Sequence, residues 1–575
     1  MRATNMTKSI SIVRSLLAST LALFLAAAAH AAVPGITGTT FNLTAQQAYL
    51  NQPDGSSVYS WGYGCNGVPS FLPAAISAET TPTCPTMQVP GPTLIVTEGT
   101  VITVNLLNGL PAAAGNTSIL FPGFSVCIGT TTAVTGVCTP SAAGTNGVPG
   151  LLTQEAAPGG TVSYSFLASS PGTHAYYSGT QGDLQVEMGM YGAVVVLPSN
   201  TTATAPCGTL GSTTTGLPAS NPGANAKAKA FWKEPDFRLA TAAYDHAKSC
   251  YDREYLFQWA EMDPRIHAAA LAQVTAKVGC TAGAPGCSLD IPTEPYHPAY
   301  FIINGRSMPD LMDANYAAEY PHQPYNADPH MHPGEMTLIR SIGQGRLQHP
   351  FHEHANHVRI LGRDGNMQLS ATSTGDLAGL LMFNTDTTPG EAFDGIFYFT
   401  GRGLNWDPYG HHPNDTADPN ASLTCTPDAN GYNTLGTSYT QINYFEWCQD
   451  HNKPLEVAPI GDVAGGGPAT LPNPNIFTNG AWYGGTPYLG PDATLRGGGT
   501  QACASSTTIT TANQTSPCST LQPSNIQANP SEERGWAYMW HSHNEREITT
   551  NNVFPGGMLM MMLVDSREFV IDETN

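Results

Sequence analysis

Short runs of β-branched and aromatic residues, separated by turn residues, dominate the chain after residue 37. Residues 101–106 and 162–166 alternate apolar and polar side chains, as half-buried strands do. Turn signals such as Pro158-Gly159-Gly160 recur between the runs, and the chain holds 59 Gly and 46 Pro in 575 residues. One segment, residues 264–277, has helical composition. The pattern predicts an all-β fold of β-sandwiches and argues against a mainly helical protein.

The strand-like runs fall into two groups, which predict two sandwich domains at residues 37–198 and 230–575. Residues 199–229 are rich in Thr, Gly, Ala and Asn and are predicted to be a linker. Residues 411–533 have little strand signal and four cysteines, which predicts a disulfide-bonded insertion in the second domain. The alternative is a third sandwich at residues 411–570.

The first 31 residues have the layout of a secretory signal peptide. Arg2, Lys8 and Arg14 form a basic region, an apolar stretch follows, and Ala29-His30-Ala31 fits a cleavage site. No later apolar stretch is long enough to span a bilayer as a helix. We therefore expect a secreted or periplasmic protein without a membrane span.

The chain is acidic, with 22 Lys and Arg against 43 Asp and Glu and a net charge of −21. Nucleic acids and anionic membrane surfaces attract basic patches. The charge balance argues against both as partners.

Twelve cysteines fall in successive close pairs, and none belongs to a C-x-x-C motif. The simplest hypothesis is six local disulfides formed in an oxidising compartment. They would join neighbours in the sequence: Cys65, Cys84; Cys127, Cys138; Cys207, Cys250; Cys280, Cys287; Cys425, Cys448; Cys503 and Cys518.

Two H-x-H motifs lie on strand-like runs, His352-Glu353-His354 and His541-Ser542-His543. Residues two apart on a strand point to the same side, so two such strands side by side would bring four imidazoles together. Imidazole suits copper, zinc, iron and nickel, and this favours a metal site over a vestigial polar cluster. A third pair, His330-Met331-His332, is expected to be exposed in a loop, like His411, His412 and His451.

The chain resembles the multicopper oxidase family, which is built from cupredoxin domains. The similarity lies in PGPTLIVTEGTVITVNLLNGL and QVEMGMYGAVVV of the first region, and in HPFHEHANHVRILGRDG and WHSHNERE of the second. It implies tandem cupredoxin-like Greek-key β-sandwiches, copper as the cofactor and an oxidoreductase activity. Two-domain relatives often form trimers, which implies a homo-oligomer.

The family's copper motifs are only partly present. The resemblance aligns its first two H-x-H motifs with Leu120-Phe121-Pro122 and Tyr176–Gly179, so the first-domain ligands are absent. The blue-copper cysteine is replaced by Ser542, and Glu547 stands where a further His is expected. The resemblance then implies this metal-ligand set: His349, His352, His354, His541, His543, Glu547 and Met558. Further oxygen donors could come from Glu353, Glu545 or Asp183, and a core position is the favoured interpretation of the Met run after Met558.

Three functions remain open at this stage. The favoured one is an extracytoplasmic protein that binds copper, or another transition metal, at a His cluster with fewer ligands than the family's usual site. This protein would carry out metal-dependent redox chemistry with a small molecule or a metal ion as the reductant. The second is a working oxidase with an unusual route of electron entry, and the third is a non-catalytic structural or adhesive protein on an old oxidase scaffold. The missing thiolate counts against the second, and the two retained H-x-H pairs count against the third.

Overall fold

Strands form nearly all the regular structure in the described part of the chain. A computed structural model describes residues 33–74, 76, 81–131, 138–140, 147–207, 237–332, 335–373, 375–399, 485–488, 501–502, 508–509, 535–565 and 571. The predicted signal peptide, most of the predicted linker, nearly all of the predicted insertion, and His411, His412 and His451 lie outside these residues.

The first group of strands is β1 (Gly35–Thr37), β2 (Thr40–Asn51), β3 (Ser57–Cys65), β4 (Ser70–Leu72), β5 (Leu94–Thr97), β6 (Val101–Asn108), β7 (Cys127–Thr131), β8 (Cys138–Pro140), β9 (Val148–Pro149), β10 (Gln154–Glu155), β11 (Thr161–Leu167), β12 (Gly172–Tyr177) and β13 (Tyr191–Leu197). They form a sheet of order β12-β13-β5-β1-β4, a sheet of order β3-β2-β6-β11-β7-β8, and the small pair β9–β10.

The second group is β14 (Arg253–Met262), β15 (Tyr300–Ile303), β16 (His330–Met331), β17 (Met336–Gly343), β18 (His349–Glu353), β19 (Val358–Arg363), β20 (Asn366–Met367), β21 (Leu381–Met382), β22 (Asn384–Thr387), β23 (Ala392–Tyr398), β24 (Gly485–Tyr488), β25 (Gln501–Ala502), β26 (Thr508–Ile509), β27 (Gly535–Ser542) and β28 (Leu559–Asp565). A third sheet has the order β15-β14-β17-β23-β19-β20, with β21 beside β19. A fourth has the order β16-β28-β27-β18-β22, with β24 beside β27, and β25 pairs with β26.

The helices are short and connect these strands. The α-helices are α1 (Gly182–Gln185), α2 (Thr201–Thr204) and α3 (Pro264–Ala276), and single 3₁₀ turns cover Ala112–Ala114, Ala205–Cys207, Ala247–Ser249, Asp310–Met312 and Glu545–Ile548. The helix predicted at residues 264–277 is therefore confirmed. It begins at a capped end, because the Asp263 side chain accepts a hydrogen bond from the Arg265 N–H and Pro264 occupies the first turn.

Each pair of sheets encloses an apolar core. Residues such as Trp61, Leu94 and Val104 fill the space between the first and second sheets. Phe257, Phe351 and Trp540 do so between the third and fourth. A further cluster that includes Val195, Leu256 and Ile342 packs the first sheet against the third. The predicted all-β fold of cupredoxin-type sandwiches is confirmed, whereas the exact domain boundaries stay a prediction.

Buried charges also join the two sandwiches. Asp394 on β23 accepts hydrogen bonds from the Thr173 hydroxyl on β12 at 2.6 Å and from the Tyr244 hydroxyl at 2.7 Å. The Arg340 guanidinium lies 3.4 Å from the same carboxylate and 2.8 Å from Glu254. Both side chains of the Arg340–Asp394 pair are 1% exposed, so water cannot replace a lost partner.

Disulfides close three of the predicted local pairs in the described residues: Cys65–Cys84, Cys207–Cys250 and Cys280–Cys287. Cys127 is disulfide-bonded as well. Such bonds are typical of extracytoplasmic proteins. Among the residues described here, no helix has the length and apolarity needed to cross a bilayer.

Replacement of Asp394 should destabilise the protein strongly. Asp394→Ala leaves Arg340 with one carboxylate partner and leaves two buried hydroxyls without their acceptor, so we expect a loss of about 3–5 kcal/mol in the free energy of unfolding. Urea denaturation followed by tryptophan fluorescence measures it. The matched control is Asp376→Ala, which removes the exposed partner of Lys248 and should leave the midpoint unchanged. Equal midpoints for the two variants would contradict this role.

Candidate metal centre

The antiparallel pairing of β18 with β27 places the predicted ligands side by side. In this register His352 lies directly opposite His541. His354 and His543 lie just beyond the two strands, and the backbone contacts continue there, since the His354 N–H donates to the Met539 carbonyl and the His543 N–H to the Pro350 carbonyl. Because side chains two residues apart share a face, all four imidazoles meet.

These four residues, His352, His354, His541 and His543, are termed the His cluster. The ring centre of His352 lies 4.8 Å from that of His354, 5.3 Å from that of His541 and 4.7 Å from that of His543. One ligand atom each from His352, His354 and His541 lies within 4.8 Å of the others. The four predicted imidazoles therefore lie together, and their role as metal ligands stays a prediction.

Hydrogen bonds to backbone carbonyls fix the tautomers of two rings in the cluster. His352 Nδ1 lies 2.8 Å from the Phe383 carbonyl and His541 Nδ1 lies 2.7 Å from the Ser542 carbonyl. Carbonyl oxygens only accept, so each Nδ1 carries the proton and each Nε2 keeps its lone pair. Metal-binding histidines are commonly held in this way by their second nitrogen.

The spacing of two ring nitrogens also fits a metal ion. His541 Nε2 lies 3.3 Å from His354 Nε2. Two imidazole nitrogens on one tetrahedral ion at the usual metal–nitrogen distance lie about 3.3–3.4 Å apart. The donor set, the tautomers and the spacing agree, so the residues present fit one transition-metal ion.

The cluster lies at the edge of the protein interior. His352 is 9% exposed and His541 is 8% exposed, whereas the side chain of His543 is half exposed. Burial and the three neighbouring imidazoles lower the pKa of His352 to about 4, and burial lowers the pKa of His541. His352 therefore stays neutral and able to bind a metal well below neutral pH, and the pKa of His541 is shifted in the same direction.

The predicted oxygen donors lie in different places. Glu545 is exposed, with a carboxylate oxygen 3.8 Å from His543 Nδ1. Glu353 is buried and accepts a hydrogen bond from the Thr385 hydroxyl. Asp183 accepts one from Thr293. Of these three, Glu545 is the one with a described contact to the His cluster.

His349 and Glu547, predicted as ligands, form a second group. His349 Nδ1 lies 2.8 Å from Glu547 Oε2, and His349 Nε2 lies 2.8 Å from Glu261 Oε2. Burial acts to lower the pKa of His349, but the hydrogen bonds to the two carboxylates outweigh it and raise the pKa to about 9. We term Glu261, His349 and Glu547 the carboxylate bridge.

Glu261 was missed by the sequence reasoning. It lies near the end of β14, in which every residue is buried. A single acidic residue after an apolar run carries no signal of its partner, because that partner lies 88 residues further along the chain.

The predicted ligand Met558 lies in the core between the third and fourth sheets, together with Met560 and Met562. All three are fully buried. Met560 and Met562 of the Met run thus lie in the core, as the favoured interpretation predicted, whereas Met561 is half-buried.

The expectation of an exposed loop at His330 and His332 was wrong. His330 lies on β16, is 1% exposed, and has its ring between Asp565 at 2.7 Å and Asp328 at 3.3 Å. His332 is fully buried, with Nδ1 2.9 Å from Glu335, which also pairs with Arg253. Carboxylates compensate the cost of burying these rings: Asp328 and Glu335 are close in the sequence, whereas Asp565 is 235 residues away.

Residues 85–201 match the family model of the multicopper oxidases. The match shows that this segment is similar to the multicopper oxidases. It covers β5 to β13 of the first sandwich and confirms the resemblance found in the first region of the sequence. No curated protein matched the chain.

Solved structures of copper enzymes align with the chain at low identity. The multicopper oxidase mgLAC is 13% identical, with 91% of this chain and 86% of that chain covered and a TM-score of 0.40. A blue copper oxidase from Nitrosomonas europaea is 14% identical, with coverage of 91% and 85% and a TM-score of 0.41. A copper nitrite reductase from Nitrosomonas europaea is 16% identical, with coverage of 64% and 86% and a TM-score of 0.35. Likenesses this distant transfer neither an activity nor a ligand.

In the matched segment, the two positions that the sequence resemblance aligns with the family's first copper motifs lie together. Leu120 and Tyr177 form an isolated antiparallel bridge, and the neighbouring Phe121 and Tyr176 are buried in the core. His174, the nearest imidazole in the sequence, is buried and hydrogen-bonded to the Ser170 carbonyl. The motif positions are filled with apolar and aromatic side chains in place of ligands.

The metal-free protein should lose stability as the pH falls from about 6.5 to about 4. The pKa of His352 is lower in the folded chain than in the unfolded one, so the unfolded chain takes up the proton first and is favoured. His352→Asn removes this contribution and should flatten the pH profile of the urea midpoint after chelator treatment. The exposed His297→Asn is the control, and parallel profiles for all three proteins would contradict the expectation.

Proposed function

We propose that the protein binds one copper ion at the His cluster and acts outside the cytoplasm as a metal-dependent oxidoreductase. The observation that carries the proposal is the convergence of His352, His354 and His541, with the Nδ1 protons of two of them held by backbone carbonyls. The similarity of residues 85–201 to a copper-using family supports copper over other metals that imidazole binds.

His352, His354 and His541 would hold the ion, with His543 and Glu545 on the exposed side. A copper ion bound by imidazoles supplies one-electron redox chemistry. The Phe383 and Ser542 carbonyls keep the rings of His352 and His541 oriented. The half-exposed His543 ring leaves the cluster within reach of a small reductant, either an organic molecule or a metal ion.

A blue copper site does not fit the chain. Such a site needs a cysteine thiolate, and Ser542 stands at that position. We therefore propose no electron entry through a thiolate, and the predicted copper content is lower than that of a standard multicopper oxidase.

Metal analysis of the mature protein tests the proposal. After reconstitution with Cu(II) and removal of excess metal, we expect one copper per chain by elemental analysis, an EPR signal with nitrogen coupling, and no strong blue absorption. His352→Ala and His541→Ala should each lower the copper content to less than one tenth, because each removes one nitrogen donor. The exposed His297→Ala is the matched control and should keep full occupancy. Full occupancy in both cluster variants would contradict the proposed ligands.

Oxygen consumption tests the redox part of the proposal. With a phenol, Mn(II) or Fe(II) as the reductant, the copper-loaded protein should consume oxygen, and His352→Ala should not. A loaded protein that consumes no oxygen with any of them would favour a structural or adhesive function.

A further inference from the structure

The carboxylate bridge is made by three separate segments of the chain. Glu261 comes from β14, His349 from the start of β18, and Glu547 from the 3₁₀ turn Glu545–Ile548. All three side chains are at most 2% exposed. His349 lies three residues before His352, and Glu547 lies four residues after His543, so the bridge ties together the two segments that carry the His cluster.

Both nitrogens of the His349 ring are already occupied. Each lies 2.8 Å from a carboxylate oxygen, which is the distance of a charge-assisted hydrogen bond. Whichever group carries each proton, neither nitrogen has a lone pair left for a metal ion.

The two carboxylates are anchored in turn. Glu547 Oε1 accepts from the Asn544 side chain at 2.9 Å, and Glu547 Oε2 accepts from the Ser542 hydroxyl. Glu261 Oε1 accepts from the backbone N–H groups of Arg346 at 2.7 Å and Leu347 at 3.0 Å. The Tyr296 hydroxyl lies 3.1 Å from the same oxygen, but its single proton is directed mainly to Glu187 Oε2 at 2.6 Å.

Ser542 therefore has a structural role in the carboxylate bridge. Its neighbours His541 and His543 point into the His cluster, while its hydroxyl donates to Glu547 and accepts from the Asn544 N–H at 3.2 Å. A thiol is a weak donor and would hold Glu547 less firmly. The serine suits a hydrogen-bonded bridge better than it suits a metal site.

We propose that Glu261, His349, Glu547 and Ser542 are positioning residues: they bind no metal, and they fix the 542–548 segment against β18 so that His541 and His543 face His352. The affinity readout rests on the proposed function, whereas the local opening of this segment can be measured without metal.

Copper affinity tests the positioning role. Glu547→Ala removes the acceptor shared by His349, Ser542 and Asn544, and we expect the copper dissociation constant to rise about 10–100-fold with one copper still bound at saturation. Glu547→Gln keeps an acceptor oxygen and should restore most of the affinity. An unchanged dissociation constant in Glu547→Ala would overturn the proposal.

The matched control lies in the same sheet. Asp328→Ala breaks the other buried carboxylate–imidazole–carboxylate array, at His330 on β16, which pairs with neither β18 nor β27. It should leave the copper dissociation constant unchanged although it also removes a buried acid. If Asp328→Ala weakened copper binding as much as Glu547→Ala does, the weaker binding would reflect only general destabilisation of the protein and would contradict the positioning role.

Hydrogen exchange of the metal-free protein separates this proposal from the proposed function. In Glu547→Ala, amide exchange should accelerate at residues 542–548 and stay unchanged in β5 and β6 of the first sandwich, whether or not the wild-type protein binds copper. Unchanged exchange at residues 542–548 would overturn the positioning role. Absence of copper binding by the wild-type protein would overturn only the proposed function.

Stoichiometry decides whether His349 is a ligand. His349→Gln should bind the same number of copper ions per chain as the wild type, with weaker affinity. A decrease of one full equivalent, with the affinity of the remaining copper unchanged, would identify His349 as a ligand and contradict the proposal.

Discussion

The pairing of β18 with β27 is the constraint on which the candidate site depends. His354 and His541 are 187 positions apart in the sequence, yet their segments become neighbours in one sheet. In this pairing His352 lies opposite His541. A slip of one residue would turn one pair of imidazoles to the other face, where Phe351 and Trp540 pack in the core. The same register therefore fixes the core and the His cluster together.

Buried carboxylates hold this architecture in an acidic chain with few bases. Asp394 joins the two sandwiches through Arg340 and Thr173. Histidine takes the place of the scarce arginine and lysine elsewhere, since His349 and His330 each lie between two buried acids. An imidazole with both nitrogens protonated can donate in two directions, which lets one side chain link two segments.

The fold could largely be predicted from the sequence because its signals are local. Alternation in residues 101–106 and 162–166 marks strands β6 and β11, and the composition of residues 264–277 marks the helix. The His cluster was predictable too, because each half is an H-x-H motif on a strand.

The missed features depend on distant partners. Burial of His330 is stabilised by Asp565, which is 235 residues away in the sequence. His349 forms a hydrogen bond with Glu261 on β14, and no spacing pattern in the sequence marks Glu261 as its partner. Neither pairing can be recognised from the spacing of residues. The sequence therefore favoured an exposed loop for His330 and a metal ligand for His349.

Helix α3 has a consequence for how the chain can be divided. Ile266, Ala270 and Val274 belong to the apolar core between the first and second sheets, although the helix follows β14 of the third sheet. Part of the core of the first sandwich therefore comes from a helix that follows the first strand of the second group in the sequence. During synthesis this core stays incomplete until residue 274 has left the ribosome, by which time the first strand of the third sheet is already present.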